Sequence, residues 1–128
     1  VTSTSTDGYS REMVGIRRPG VRLWDSGILF RMYALALIRY RRPLEEVVAH
    51  QDAHRAFQRR LLEEGKLLAA GPHDPRYGGM MLLRVGDEGA QKTLDAIRDA
   101  DPYYQAGVVQ YELLVWNVVI GKEKLDEL

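Results

Sequence analysis

The sequence predicts an α+β domain whose elements follow one another in the order β-α-β-β-α-β. Apolar runs of strand length stand at 32–40, 66–70, 80–85 and 108–120. Two intervening segments, 44–64 and 90–97, space their apolar residues at helical intervals. Turns rich in Gly, Pro or charge separate these runs.

Taken in order, "MYALALIRY" is a strand that ends in a basic cluster, Arg39, Arg41 and Arg42. Pro43 then permits a helix start. From about Leu44 to Glu64 one helix is expected. Val47, His54 and Leu61 recur every seven residues, with His50 and Phe57 on the same face. Glu45, Glu46, Asp52, Arg59, Arg60 and Glu63 cover the other side, and Gly65 supplies the stop. "KLLAA" is a second strand, broken by Gly71 and Pro72, and the turn runs on to Gly78 and Gly79. "MMLLRV" is a third, most easily the hairpin partner of the second. Ala90, Leu94 and Ile97 mark a second helix, "ADPYYQAG" a turn, and "VVQYELLVWNVVI" the last strand. This order is the ferredoxin-like split βαβ plan, with both helices on one face of an antiparallel sheet. The other face then needs a cover. Two such sheets face to face give a dimeric α/β barrel, a homodimer with further assembly left open. Met80, Met81 and Trp116 are expected inside that barrel or in the core.

Residues 1–31 carry no clear period and read as an N-terminal extension. Trp24, Ile28, Leu29 and Phe30 are its candidate anchors, and Met32 is a candidate start of the domain. Residues 32–121 form the domain and 122–128, "KEKLDEL", a charged tail. At 128 residues, with 18 basic and 18 acidic side chains, the chain has no global charge to steer it toward nucleic acid or anionic membranes. It contains no Cys, which excludes disulfides, thiolate catalysis and Cys-ligated zinc and suits a reducing cytoplasm. No apolar run approaches the roughly 18 residues of a membrane span, and the polar start does not resemble a signal peptide.

The most unusual residue is His54, a titratable imidazole at the centre of an apolar helix stripe. An imidazole there is often a satisfied core or interface residue. Paired with a carboxylate, it is a general acid or base, because the carboxylate fixes its tautomer and favours its protonated form. His50 and His54 also form an H-x-x-x-H pair, to which His73 adds a third nitrogen. Gln51 stands where a metalloprotease would have its Glu, so no metal or other cofactor is expected. Arg39 is a candidate clamp for a substrate carboxylate. Gly71 and Pro72 are candidates for close backbone approach to a ligand, although turn geometry alone explains the glycines at 71, 78 and 79. Tyr103 and Tyr104 are candidates for a pocket mouth.

From Met32 to about Gly121 the chain resembles the YciI-like (YCII-related) proteins. The resemblance rests on His54 in the first helix, "EEGKLLAAGP" after it, the Gly-Gly before the third strand, and "DADPYYQAGV" before the last. It implies a ferredoxin-like dimeric α/β barrel with a His–Asp dyad. Carried over by position, the dyad is His54 and Asp74. Asp101 is another acid in the pattern, equally suited to capping. Read from the residues themselves and not from the resemblance, the substrate-binding candidates are Arg39, Gly71, Pro72, His73 and Tyr104. The family includes a dehydrochlorinase-type lyase, so a cofactor-free lyase or isomerase acting on a small anionic or aromatic-derived molecule is expected. A non-enzymatic ligand-binding or assembly module is the alternative. A third reading, a cofactor-free monooxygenase, requires a large apolar cavity.

Overall fold

A computed structural model describes residues 31–128. The anchors expected at Trp24, Ile28, Leu29 and Phe30 lie outside the described residues. Strand β1 is Arg31–Tyr40, followed by α1, Leu44–Val48, and α2, Gln51–Glu63. Strands β2, Leu67–Pro72, and β3, Gly78–Gly86, form a hairpin. Helices α3, Ala90–Ala100, and α4, Pro102–Gln105, lead into β4, Val109–Trp116, and a last helix, α5, Lys122–Asp126. The sheet order is β2-β3-β1-β4, with every neighbouring pair antiparallel. This is the ferredoxin-like arrangement that the sequence predicts.

Alternation decides what each strand presents. Ala34, Ala36 and Ile38 of β1 and Met81, Leu83 and Val85 of β3 are buried on the helix side. They meet Val47, Phe57 and Leu61 from α1 and α2, and Leu94 and Ile97 from α3. The small side chains at 34 and 36 let the helix layer sit close. Each large core side chain removed from water contributes about 1.5–3 kcal/mol before entropy is charged against it.

Three sequence expectations change. The helix expected over 44–64 breaks at Ala49 and His50, where His50 has φ −109° and ψ 8°. Consecutive β-branched Val47 and Val48 are weak helix formers, and no side chain caps α1. The turn at 101–108 holds a short helix, because Asp101 accepts from the Tyr103 amide and Pro102 suits the first turn. The C-terminal segment is not a free tail. Its helix docks on the far sheet face, where the Tyr33 hydroxyl donates to Asp126 and Arg84 Nη1 donates to the Leu125 carbonyl at 3.2 Å.

Gly78 and Gly79 prove to be a packing requirement. A Cβ on Gly78 would lie 2.0 Å from the Ile38 carbonyl oxygen, and one on Gly79 2.7 Å from that of Gly71. The two glycines bring β3 against both neighbours at the end of the sheet that carries the cleft described next. Met81 is fully buried, whereas Met80 and Trp116 stand exposed on the far face.

Candidate active site

His54 is delivered by the middle of α2, on the face shared with Phe57 and Leu61, and is 7% exposed. Its Nδ1 lies 2.8 Å from Oδ1 of Asp101, a residue with no solvent exposure. The same Oδ1 accepts from the Tyr103 amide at 2.9 Å, and Oδ2 accepts from the Tyr111 hydroxyl at 2.7 Å. A carboxylate taken out of water is costly unless hydrogen-bonded. Three donors from α2, α4 and β4 meet that need.

The network also assigns the imidazole's tautomer. Asp101 acts as acceptor throughout, so Nδ1 carries a proton and Nε2 is left for other work. Among the described residues Nε2 makes no hydrogen bond, and His54 lines the cleft described below. The Tyr103 ring stacks on the imidazole at 3.8 Å between centroids and 8° between planes, fixing the ring's second axis. Burial, and then the Asp101 charge, push the Tyr111 phenol far up, so it stays a donor. Burial and then Tyr40 push the Tyr103 phenol up, while Arg76 and Arg55 pull it back.

His54 opens on a cleft of about 50 Å³ at the end of the sheet where β1, β2 and β3 meet α2. Tyr40, Tyr103, Arg55 and Arg76 form its walls, and Gly71–Pro72 a backbone side. A roomier groove of about 480 Å³ between α2 and α3 holds no acid/base pair beyond the exposed Glu64 and Lys66. Among the described residues, no large apolar cavity of the kind a monooxygenase requires lies beside His54.

Two of the expected binding residues, Gly71 and Pro72, therefore share the cleft with His54. Others do not reach it. The carboxylate on His54 is Asp101 and not Asp74, which is exposed in the 73–77 loop. That loop turns back on β3 through the His73 amide to the Gly78 carbonyl at 2.7 Å, which leaves Asp74 on its outside. His73 packs against Tyr77, its Nδ1 buried without a partner. Tyr104 is 39% exposed, packed edge-on against Tyr111 and beneath Arg98, while its neighbour Tyr103 takes the cleft. Arg39 has the wrong strand parity, and it projects from the far face. Among the described residues, no group of three His, Asp or Glu side chains is close enough to hold a metal.

Sequence reasoning set Asp101 second to Asp74 because a cap at the turn before a strand accounts for it equally well. A signal did exist in β4. Tyr111 shares strand parity with core-facing Val109 and Leu113, and a phenol on the core side demands an acceptor.

The family model of the YCII-related domain matches residues 32–117. Among solved structures, the chain is similar to the 5-chloro-2-hydroxyhydroquinone dehydrochlorinase of Burkholderia phenoliruptrix AC1100 in complex with 2,5-dihydroxybenzoquinone. The TM-score is 0.56 at 20% identity, covering 69% of this chain and 96% of the other. No curated protein matches. The chain belongs to the YCII-related domain family.

Proposed function

We propose that this YCII-related protein is a cofactor-free acid/base enzyme, a lyase or isomerase, acting on a small acidic or aromatic-derived molecule. His54 is the catalytic residue and Asp101 its positioning partner. The observation that carries this reading is the buried bond from His54 Nδ1 to Asp101, which leaves Nε2 on a cleft. In an elimination, Nε2 takes a proton from carbon or hydroxyl as the new double bond forms and the leaving group departs with its electron pair. The imidazolium so formed lies against the Asp101 carboxylate, and it returns the proton to solvent. In an isomerisation it returns the proton to a different atom of the same molecule. The dehydrochlorinase with a similar fold, bound to a dihydroxyquinone, supports the lyase form.

The test is chloride release from 5-chloro-2-hydroxyhydroquinone, with ring-proton exchange of 2,5-dihydroxybenzoquinone in heavy water alongside. Exchange reports proton abstraction whether or not a leaving group follows. His54→Gln and Asp101→Asn are expected to lower both by roughly 10²–10⁴-fold, the scale of general acid–base catalysis. Unchanged rates in His54→Gln sink the reading.

The assembly reading has an observation of its own. Met80, Leu114 and Trp116 are 38–43% exposed on the sheet face opposite α2 and α3, the face on which α5 docks beside Tyr33 and Arg84. A second copy packed on that face, as in a dimeric α/β barrel, removes this apolar surface from water. Sedimentation is expected to give a dimer that Trp116→Glu dissociates. A monomeric wild-type protein overturns the arrangement. Lacking Cys, the chain suits the cytoplasm.

A further inference from the structure

Every ionisable side chain that lines the cleft is a base, a cation or a phenol. Among the described residues no Asp or Glu lines it, because Asp101 lies behind the imidazole. The two guanidiniums there, Arg55 and Arg76, pair with no carboxylate among the described residues, whereas Arg42 and Arg98 do. Among the described residues the cleft's lining therefore carries two cations and no anion, with the Asp101 carboxylate set behind the imidazole, although the chain as a whole is neutral.

Of the two, Arg76 is the one held in place. Its Nε donates to the Tyr40 hydroxyl at 3.1 Å, and its Nη2 donates to Gln51 Oε1. These bonds tie the 73–77 loop to β1 and to the first turn of α2. They use two of the five guanidinium N–H groups, and the rest of the fork, beside the Tyr103 hydroxyl, belongs to a side chain that lines the cleft. A guanidinium already fixed loses little entropy on binding, and its planar fork matches a pair of anionic oxygens.

We infer that Arg76 is the specificity-determining residue of the cleft, a preorganised clamp that selects substrates carrying a carboxylate or a comparably acidic oxygen pair. This rests on the acid/base reading of the same cleft and names its substrate class. The clamp fixes the anionic end of the molecule while His54 works on an atom beside it. Electron density left behind when Nε2 removes a proton spreads toward oxygens that the guanidinium already holds.

The experiment compares benzoate with neutral hydroquinone as probes, read by amide and guanidinium NMR shifts without turnover. Benzoate binding is expected to weaken about tenfold or more in Arg76→Gln, the loss of a charge-assisted pair. Arg76→Lys, which keeps the charge and loses the fork, is expected to fall between. Hydroquinone binding is expected to change by less than about twofold, since no charged pair is lost. Retained native amide dispersion in both variants confirms folding. Unaltered benzoate binding in Arg76→Gln overturns the clamp, and so does an equal loss of both probes. A loss carried by Arg55→Gln instead overturns it too. The acid/base reading fails separately, through ring-proton exchange that survives His54→Gln.

Discussion

Two tyrosine–carboxylate pairs stand at opposite ends and on opposite faces of this sheet, and they differ in what surrounds them. At one end the Tyr111 hydroxyl donates to Asp101, which is sealed from water and shared with an amide and an imidazole. At the other the Tyr33 hydroxyl donates to Asp126, whose side chain is 19% exposed and also paired with Lys122 Nζ at 2.9 Å. The bond type is the same. In the first, the carboxylate has no cationic Lys or Arg partner among the described residues, and its charge acts on an imidazole that opens on a cleft. In the second, Lys122 offsets the charge, and the pair clasps α5 to the sheet. A buried carboxylate with only hydrogen-bond donors for company is a tool for holding an imidazole. One with a lysine beside it is a fastener.

The strongest way to break this contrast is to remove Asp101. Asp101→Ala strands the Tyr111 hydroxyl, the Tyr103 amide and His54 Nδ1 in the interior. A loss of about 3–5 kcal/mol is expected in urea unfolding, as for other buried pairs deprived of one member. Asp74→Asn is the matched control, and its change is expected within about 0.5 kcal/mol, because an exposed loop residue touches none of this. Equal effects in the two variants would refute Asp101 as the partner.

Tyr111→Phe tests one arm of the network. It removes a single donor from Oδ2 and leaves Oδ1 with both of its own. A buried acceptor left unsatisfied costs about 1–3 kcal/mol, so the expected loss is smaller than for Asp101→Ala. Because His54 keeps its bond, ring-proton exchange is expected to fall less in Tyr111→Phe than in Asp101→Asn. A larger fall in Tyr111→Phe would mean that the phenol, rather than the carboxylate, governs the imidazole.

The contrast also explains what the sequence could disclose. Strand alternation and the apolar stripes at Val47, His54, Phe57 and Leu61 are local periodicities, and they carried the βαββαβ order and placed His54 inward. The identity of its carboxylate depends on a contact spanning 47 residues, which no local period encodes. Asp74 is the acid that the family resemblance supplies by position, and only the folded 73–77 loop shows it turned away from His54. Tyr103 and Tyr104 are both candidates in the sequence, and only the short helix at Pro102–Gln105, which leaves no periodic trace, decides that Tyr103 takes the cleft. Arg76 was invisible for the same reason, since only the folded loop sets it against Tyr40 and Gln51. The tail's charge suggested solvent, yet Lys122 and Asp126, four apart, pair with each other and free the segment to dock.

The fastener end offers the gentlest perturbation, and the direction of its pH dependence follows from Tyr33. Burial, and then the bond to Asp126, raise this phenol from 10.0 to about 12, with Arg84 pulling slightly the other way. A group whose folded value is raised contributes stability that is complete below its unfolded value. For Tyr33 the docking of α5 is therefore at full strength below pH 10 and is lost as pH climbs through about 12. The cause is direct: a phenolate would face the Asp126 carboxylate with its donor proton gone. Asp126→Asn removes the opposing charge, so the Tyr33 ring-carbon NMR titration is expected to move back toward 10.0. The variant's stability at neutral pH is expected to drop by no more than about 1 kcal/mol, because a partly exposed pair is screened by water. The His54 tautomer is expected not to change, since α5 touches neither α2 nor Asp101 through any hydrogen bond among the described residues. A Tyr33 titration indifferent to residue 126 would mean that burial alone holds the phenol up, and the second pair would then be no fastener.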